Sequence, residues 1–535
     1  MTQSRSILPK WFQFLIIAIL VLGIFFRFVN LDHKVYWYDE AYTSIRISGY
    51  SLTEIQKQAF NGKEIGVKDL QKYKQPNSEK GLVDTLKGLA DDVHTPLYFI
   101  MGRFWMQLFG NSVAVIRSLS VFISLLAFPC IYWLCLELFN SSATGWIAIA
   151  LIAISPFHLI YAQEARPYSL WIVTILFSSA SLLKALRGKN KLNWSIYAAS
   201  VALGIYSHIF FLLVVISHGI YVAVTEGIRE SKTFTSYRLA SYAGFITFFP
   251  WLLVITLNLR RFLGQSAWTS HGKLTSFSLI NKWIENFTVV FMNTDINGNI
   301  IYFGFSELLT DILKIILIIM LLTLGGYSFY FLYRNTEPKT YLFIFLLIGI
   351  PFLILGLPDL LFGGVRSTIG RFVTPSWLGI QLAISYLFAD KISSMSVKKR
   401  DKLWYIVVIS LVLIGVISCG IISQSETWSG KGMNYKDKQL AHTIKQAETP
   451  LIISDAVRPN SIGKIISFSY LLDSKVRLQI LPVPYIEQIN FDNFSKVFLY
   501  NKPSRKLREK LNKKYQIKSI FLDKYLELWE LERKE

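Results

Sequence analysis

The 535-residue sequence predicts a polytopic α-helical membrane protein of about eleven spans that carries a small extracytoplasmic α/β domain at its C-terminal end. Three observations predict it. Apolar residues make up 52% of the chain, too many for an ordinary soluble enzyme. Near-continuous apolar runs of about 20 residues recur, among them 11–29, 308–332 and 403–422, and in lipid such runs must be helices because the backbone finds no other hydrogen-bond partner. Composition then changes sharply after residue 423, to short β-rich runs interleaved with a polar helical stretch.

The first run, 11–29, follows Arg5 and Lys10 as a signal peptide would. It lacks a small-residue cleavage pattern and ends in Arg27-Phe28, which makes it an uncleaved span. Further spans are expected at 112–138, 143–161, 167–186, 193–207, 209–226, 239–258, 308–333, 340–357, 372–390 and 403–423, with the short fifth and sixth forming a broken pair around Ser207-His208. With the N-terminus cytoplasmic, the inner connections carry 15 lysines and arginines, against three in the short outer connections 162–166 and 358–371. Positive residues favour the cytoplasmic side, so the alternation supports this orientation. The three outer cations are Arg166, Arg366 and Arg371, which insertion logic disfavours; snorkelling to headgroups is the plain reason to keep them.

The net charge of +21 comes from cations beside the apolar runs. That pattern suits anionic lipid headgroups rather than nucleic acid. Cys130, Cys135 and Cys419 all lie in apolar runs, which argues against a disulfide framework or a zinc-thiolate site.

Three regions then face outward: 30–111, 259–307 and the tail 424–535. In the first, Tyr36-Trp37-Tyr38-Asp39-Glu40-Ala41-Tyr42 places adjacent carboxylates among aromatics at the membrane edge, where Trp and Tyr belong but acids are costly. The plain alternative is a cap, with Asp39 starting a helix over 40–47. Farther on, Asp91-Asp92-Val93-His94-Thr95-Pro96 precedes an apolar run to Phe109. From Pro96 that run is 14 residues, about 21 Å of helix, too short to span and suited to the interface. Its N-terminus would offer free amides to an anion near His94. Between spans three and four, Gln163-Glu164-Ala165-Arg166-Pro167-Tyr168 holds an acid and a cation that could be a simple helix-end pair. His158 and His208 fall near outer helix ends. Trp268, Trp283 and Asn293–Asn299 in 259–307 suggest part of an acceptor surface by position. The tail reads as strands at 451–454, 476–480, 496–500 and 519–522 with a helix at 504–515.

Together these pieces resemble the GT-C superfamily of glycosyltransferases, in particular the protein O-mannosyltransferases (glycosyltransferase family 39) and the lipid A aminoarabinose transferases. Asp39-Glu40 after the first span, His94-Thr95-Pro96-Leu97-Tyr98, and Pro156 through Tyr161-Ala162-Gln163-Glu164-Ala165-Arg166-Pro167-Tyr168 carry the resemblance, within a hydropathy layout that matches over about the first 240 residues. The second half matches more loosely, through Arg371-Phe372. Thr95 stands where many relatives have a second proline, and Pro167 where they often have Met. The resemblance implies an inverting transfer from a polyprenyl-phosphate sugar to a hydroxyl on the extracytoplasmic side of the plasma (inner) membrane. Asp39 would be the base, Glu40 would orient the acceptor or the base, and Arg166 would bind the donor phosphate. Arg371 and His94 are further phosphate candidates, and Asp92, Glu164, Tyr168, Arg366 and His208 supporting ones. A divalent metal ion shared by Asp39, Asp92 and His94 is left open. So are an oligosaccharide ligase or oligosaccharyltransferase using a diphosphate-linked glycan, and a lipid-glycan transporter. Sugar and acceptor are not legible.

Overall fold

The computed structural model describes residues 8–77, 79–90, 94–228, 231–293, 295–296, 299–300, 307–393, 399–428, 430–431, 434–455, 461–481, 493–523 and 526–534. Helices stand at every expected span. Among the described residues, seven are long and apolar enough to cross a membrane, or nine if each of two bent pairs is one span. The other two, Lys191–Ser207 and Phe211–Glu226, have 17 and 16 residues, short of the ~20 of a full crossing. They meet at the turn carrying His208, and they are why length alone gives fewer spans than the eleven expected. Tyr168–Gly188 and Gly370–Ser393 are the central helices, with 83% and 89% of their apolar windows buried, whereas Leu308–Asn335 is peripheral at 22%.

One bent pair, Ser142–Ala153 and Pro156–Gln163, turns by 61°. Pro156 has no N–H to give the preceding turn, so among the described residues the Ala153 carbonyl loses its helical donor and that of Ile152 keeps only a long bond from Ser155 N at 3.4 Å. Arg27 of the first span serves both: its guanidinium donates to Ala153 O at 2.8 Å and Ile152 O at 3.0 Å, and to its own Gly23 O at 2.7 Å. A side chain at Gly23 would lie 2.6 Å from Ala153 O, so only glycine lets the two helices meet there. After the bend, Gln163 donates to the carbonyls of Phe26 and Val29 at the end of the first span.

The tail forms most of a six-stranded sheet. Its strands are β1 (Glu64–Gly66), β2 (Pro450–Asp455), β3 (Arg477–Leu481), β4 (Lys496–Tyr500), β5 (Tyr515–Leu522) and β6 (Glu527–Arg533), in the order β1-β3-β2-β4-β6-β5. β2 runs parallel to β3 and β4, and the remaining pairs are antiparallel. Leu451, Ile453, Val497 and Leu499 pack one face against Leu507 and Leu511 of helix Arg505–Lys514. β1 comes from the first outer loop, with Ile65 opposite Leu478. Loop and tail therefore share a sheet, and they share the main apolar core: Tyr36, Ile45 and Tyr73 sit in one cluster with Ile462, Ile466 and Phe468. Helix Ser461–Ser469 approaches helix Tyr38–Ile47 so closely that a Cβ on Gly463 would fall 2.6 Å from the Tyr42 ring.

The short helix expected after Pro96 is Leu97–Phe109, capped by Pro96 at its start, with Phe104, Leu108 and Phe109 exposed. The region 259–307 contributes helices Leu259–His271 and Ser276–Val289.

Candidate active site

Helix Tyr38–Ile47 starts with Trp37 as its N-cap, and both carboxylates of the acidic pair fall in its first turn. Asp39 is therefore not the cap. Successive residues on a helix point about 100° apart, and here that separates two like charges into different surroundings. Glu40 points inward and is 0% exposed. Its oxygens accept from Arg117 Nε at 2.8 Å, Arg117 Nη2 at 2.7 Å, Ala165 N at 3.0 Å and Trp37 N at 3.2 Å. Arg117 also donates to the carbonyls of Leu31, Lys34 and Val35. Four donors occupy the carboxylate, and through them Glu40 ties the helix start to the turn at Ala165.

Asp39 points the other way and is half-exposed. Among the described residues its carboxylate has no hydrogen-bond donor, while its charge acts on both Arg166 and Arg371. Arg166 donates to the Asp39 carbonyl at 3.3 Å and to Thr43 Oγ1 at 3.1 Å. Its other terminal nitrogen lies 2.7 Å from His94 Nε2 and 3.4 Å from the Tyr168 hydroxyl. A guanidinium only donates, so His94 Nε2 accepts and the ring orients Arg166. The Tyr168 ring lies beneath both cations, 5.7 Å from Arg166 and 5.3 Å from Arg371. The Arg371 charge also acts on the Tyr161 phenol. The Nε atoms of Arg166 and Arg371 are buried and without a partner among the described residues. His208 closes this side, stacked on Trp171 at 4.3 Å. Burial first, then the nearby His94, Arg371 and Arg166, hold its pKa well below the ordinary value.

Asp39, His94, Arg166, Tyr168, His208 and Arg371, expected from distant parts of the chain, are thus brought together. Glu164 is beside them but does not pair with Arg166. Wholly buried, it accepts from Trp37 Nε1 at 3.0 Å and sits 2.7 Å from Lys431 Nζ; burial raises its carboxyl pKa while Lys431 opposes that. Arg366 is not part of the cluster. It pairs with the buried Asp359 at 3.5 Å, which in turn accepts from Ser367 N at 2.7 Å, and this fixes the loop before Arg371. Trp283 and Asn286 brace the same loop through Ser367 and Thr368. Asp92 lies outside the described residues, and among those described no three His, Cys, Asp or Glu side chains form a metal-binding group.

Sequence reasoning missed Arg117, Lys34 and Lys431. Arg117 was the most visible of the three, a charge inside an expected span. Lys34 donates to Gln163 Oε1 at 2.7 Å, and Lys431 reaches in from the tail.

Residues 93–254 match the family described as dolichyl-phosphate-mannose-protein mannosyltransferase. No curated protein matches the chain. Among solved structures, ArnT from Cupriavidus metallidurans in the apo state superposes with a TM-score of 0.53 at 11% identity, over 97% of this chain and 98% of that one. The same protein bound to undecaprenyl phosphate gives 0.50 at 9% identity, over 98% of both chains. The Archaeoglobus fulgidus oligosaccharyltransferase in its apo form gives 0.49 at 11%, over 89% of this chain and 65% of that one. The chain has the multi-pass GT-C fold, and its resemblance to the GT-C glycosyltransferases stands on the family match together with the ArnT likeness.

Proposed function

We propose that this protein is an inverting glycosyltransferase that moves a sugar from a polyprenyl phosphate to an acceptor hydroxyl at the extracytoplasmic face of the membrane. One observation carries the reading: among the described residues the Asp39 carboxylate accepts no hydrogen bond while its charge acts on two guanidinium groups, each with a buried Nε that has no partner there. That is a base facing a cation pair. As the acceptor oxygen attacks the anomeric carbon, Asp39 takes its proton. The bond from that carbon to the phosphate oxygen breaks on the opposite face, and the electron pair leaves with the polyprenyl phosphate. Arg166 and Arg371 meet the charge gathering on the phosphate, and because their neighbours already hold them in place, little reorganisation is needed at the moment of reaction. No general acid is required, since phosphate is a good leaving group. The ArnT structure bound to undecaprenyl phosphate supports a carrier of this class.

The same site argues for a monophosphate over the diphosphate of an oligosaccharyltransferase. Two guanidinium groups are the charge complement of one phosphate, and of the other nearby cations among the described residues Arg117 and Lys431 are committed to carboxylates while Lys34 donates to Gln163 Oε1.

The test is transfer by the purified protein from polyprenyl-phosphate sugar, compared with polyprenyl-diphosphate sugar, in the wild type and in Arg166→Ala. The expected outcome is transfer from the monophosphate alone, with kcat/KM for it falling ~10²-fold in the variant. Preference for the diphosphate, or unchanged donor kinetics in Arg166→Ala, would remove Arg166 from the phosphate site.

A further inference from the structure

The segment around Lys431 belongs to the tail, yet it wraps the chain leading into the catalytic helix. Val35 N donates to Glu426 O at 2.9 Å, Trp428 Nε1 donates to Val35 O at 2.9 Å, and Lys438 Nζ donates to His33 O at 3.0 Å. From this wrap the Lys431 side chain, 11% exposed, enters a cage of rings: Trp37 at 4.1 Å, Trp428 at 4.5 Å and Tyr161 at 5.9 Å. It ends 2.7 Å from Glu164. Glu164 opens the turn that delivers Arg166: its carbonyl accepts from Arg166 N at 2.7 Å, and the next amide, Ala165 N, is held by Glu40. Lys431 is thus the far end of a continuous chain of contacts that finishes at the phosphate-facing guanidinium.

We infer that Lys431 is a positioning residue for the donor site: by pairing with Glu164 inside the ring cage it fixes the Glu164–Arg166 turn, so the docked tail is a working part of the active site. This rests on the reading of Arg166 as the phosphate ligand. The physical reason is that a buried carboxylate without its cation must either stay costly or take a proton. Either way it no longer pins the turn. Misplacement of a binding group by about 1 Å costs on the order of 10²-fold, far more than the loss of an exposed ion pair.

The experiment uses the full chain in lipid nanodiscs, as wild type, Lys431→Met and Lys431→Arg, with three readouts: donor KM and kcat for transfer, quenching of tryptophan fluorescence by polyprenyl phosphate, and Tm. Lys431→Met is expected to raise donor KM and weaken polyprenyl-phosphate binding about 10-fold or more with a smaller change in kcat, and Lys431→Arg to recover most of both. Should Lys431→Met fail to fold, Glu164→Gln removes the same charge pair while its amide oxygen still accepts from Trp37, and the same rise in KM is expected. Unchanged KM and lipid binding in a folded variant, or Lys431→Arg no better than Lys431→Met, would overturn the inference. If the wild type transfers nothing from a polyprenyl-phosphate sugar, the proposed activity fails, and lipid binding by the variants still judges Lys431.

Discussion

Asp39 and Glu40 are neighbours with the same charge, and the fold gives them opposite tasks. Glu40 is enclosed with Arg117, while Asp39 is left open toward the cations. The pair itself was legible in the sequence as acids among interfacial aromatics. Which acid is open was not, because that depends on Arg117, 77 positions away. Glu40→Gln leaves Arg117 with an uncompensated buried charge, and breaking such a pair costs about 3–5 kcal/mol. Its Tm should fall clearly, whereas Asp39→Asn should melt like the wild type; equal Tm values for the two variants would contradict the division of roles. Lys34 offers a pH test. Burial first, then Arg117, pushes its pKa down from 10.5 to about 7. Between those values the unfolded chain holds more protons than the folded one, so stability rises with pH across that window. The wild type should gain stability relative to Lys34→Met from pH 7 upward, and parallel pH profiles would show that Lys34 is not depressed.

At the scale of elements, the broken helix is what carries Glu164 and Arg166 into place. Its break follows from Pro156, which the sequence shows, but its repair by Arg27 does not, since the acceptors lie 125 and 126 residues away. Arg27→Met, which keeps the side-chain bulk, strands the Ala153 carbonyl and leaves that of Ile152 with only the long bond from Ser155 N. Hydrogen bonds to a charged donor contribute roughly 1.5–3 kcal/mol each, so the variant should lose at least about 3 kcal/mol of stability. A loss under 1 kcal/mol, roughly the value of one ordinary hydrogen bond, would mean the break is satisfied in another way. In the tail, β2, β3, β4 and β5 and the helix Arg505–Lys514 fall where short apolar runs and a polar stretch placed them. β6 was missed because Glu527–Arg533 mixes acids with its buried Leu528 and Leu531. β1 was missed because three residues carry no period, and only its partner strand, over 400 positions away, makes it a strand.

Across the whole molecule, the positions of the apolar helices were legible because lipid leaves the backbone few choices. The number of crossings was less so: helices of 17 and 16 residues around His208 satisfy the apolar pattern without the length. The union of first loop and tail was hidden as well, since a shared sheet and a lysine entering a distant cage leave no local signature. The proposed chemistry rests on the Asp39 carboxylate, which among the described residues accepts no hydrogen bond and whose charge acts on Arg166 and Arg371. The most direct test of that claim is the single-turnover rate of sugar transfer by Asp39→Asn, with polyprenyl-phosphate binding followed in the same samples. The expected result is a rate lower by ~10²–10⁴-fold with lipid affinity retained; a rate within a few-fold of the wild type would contradict it.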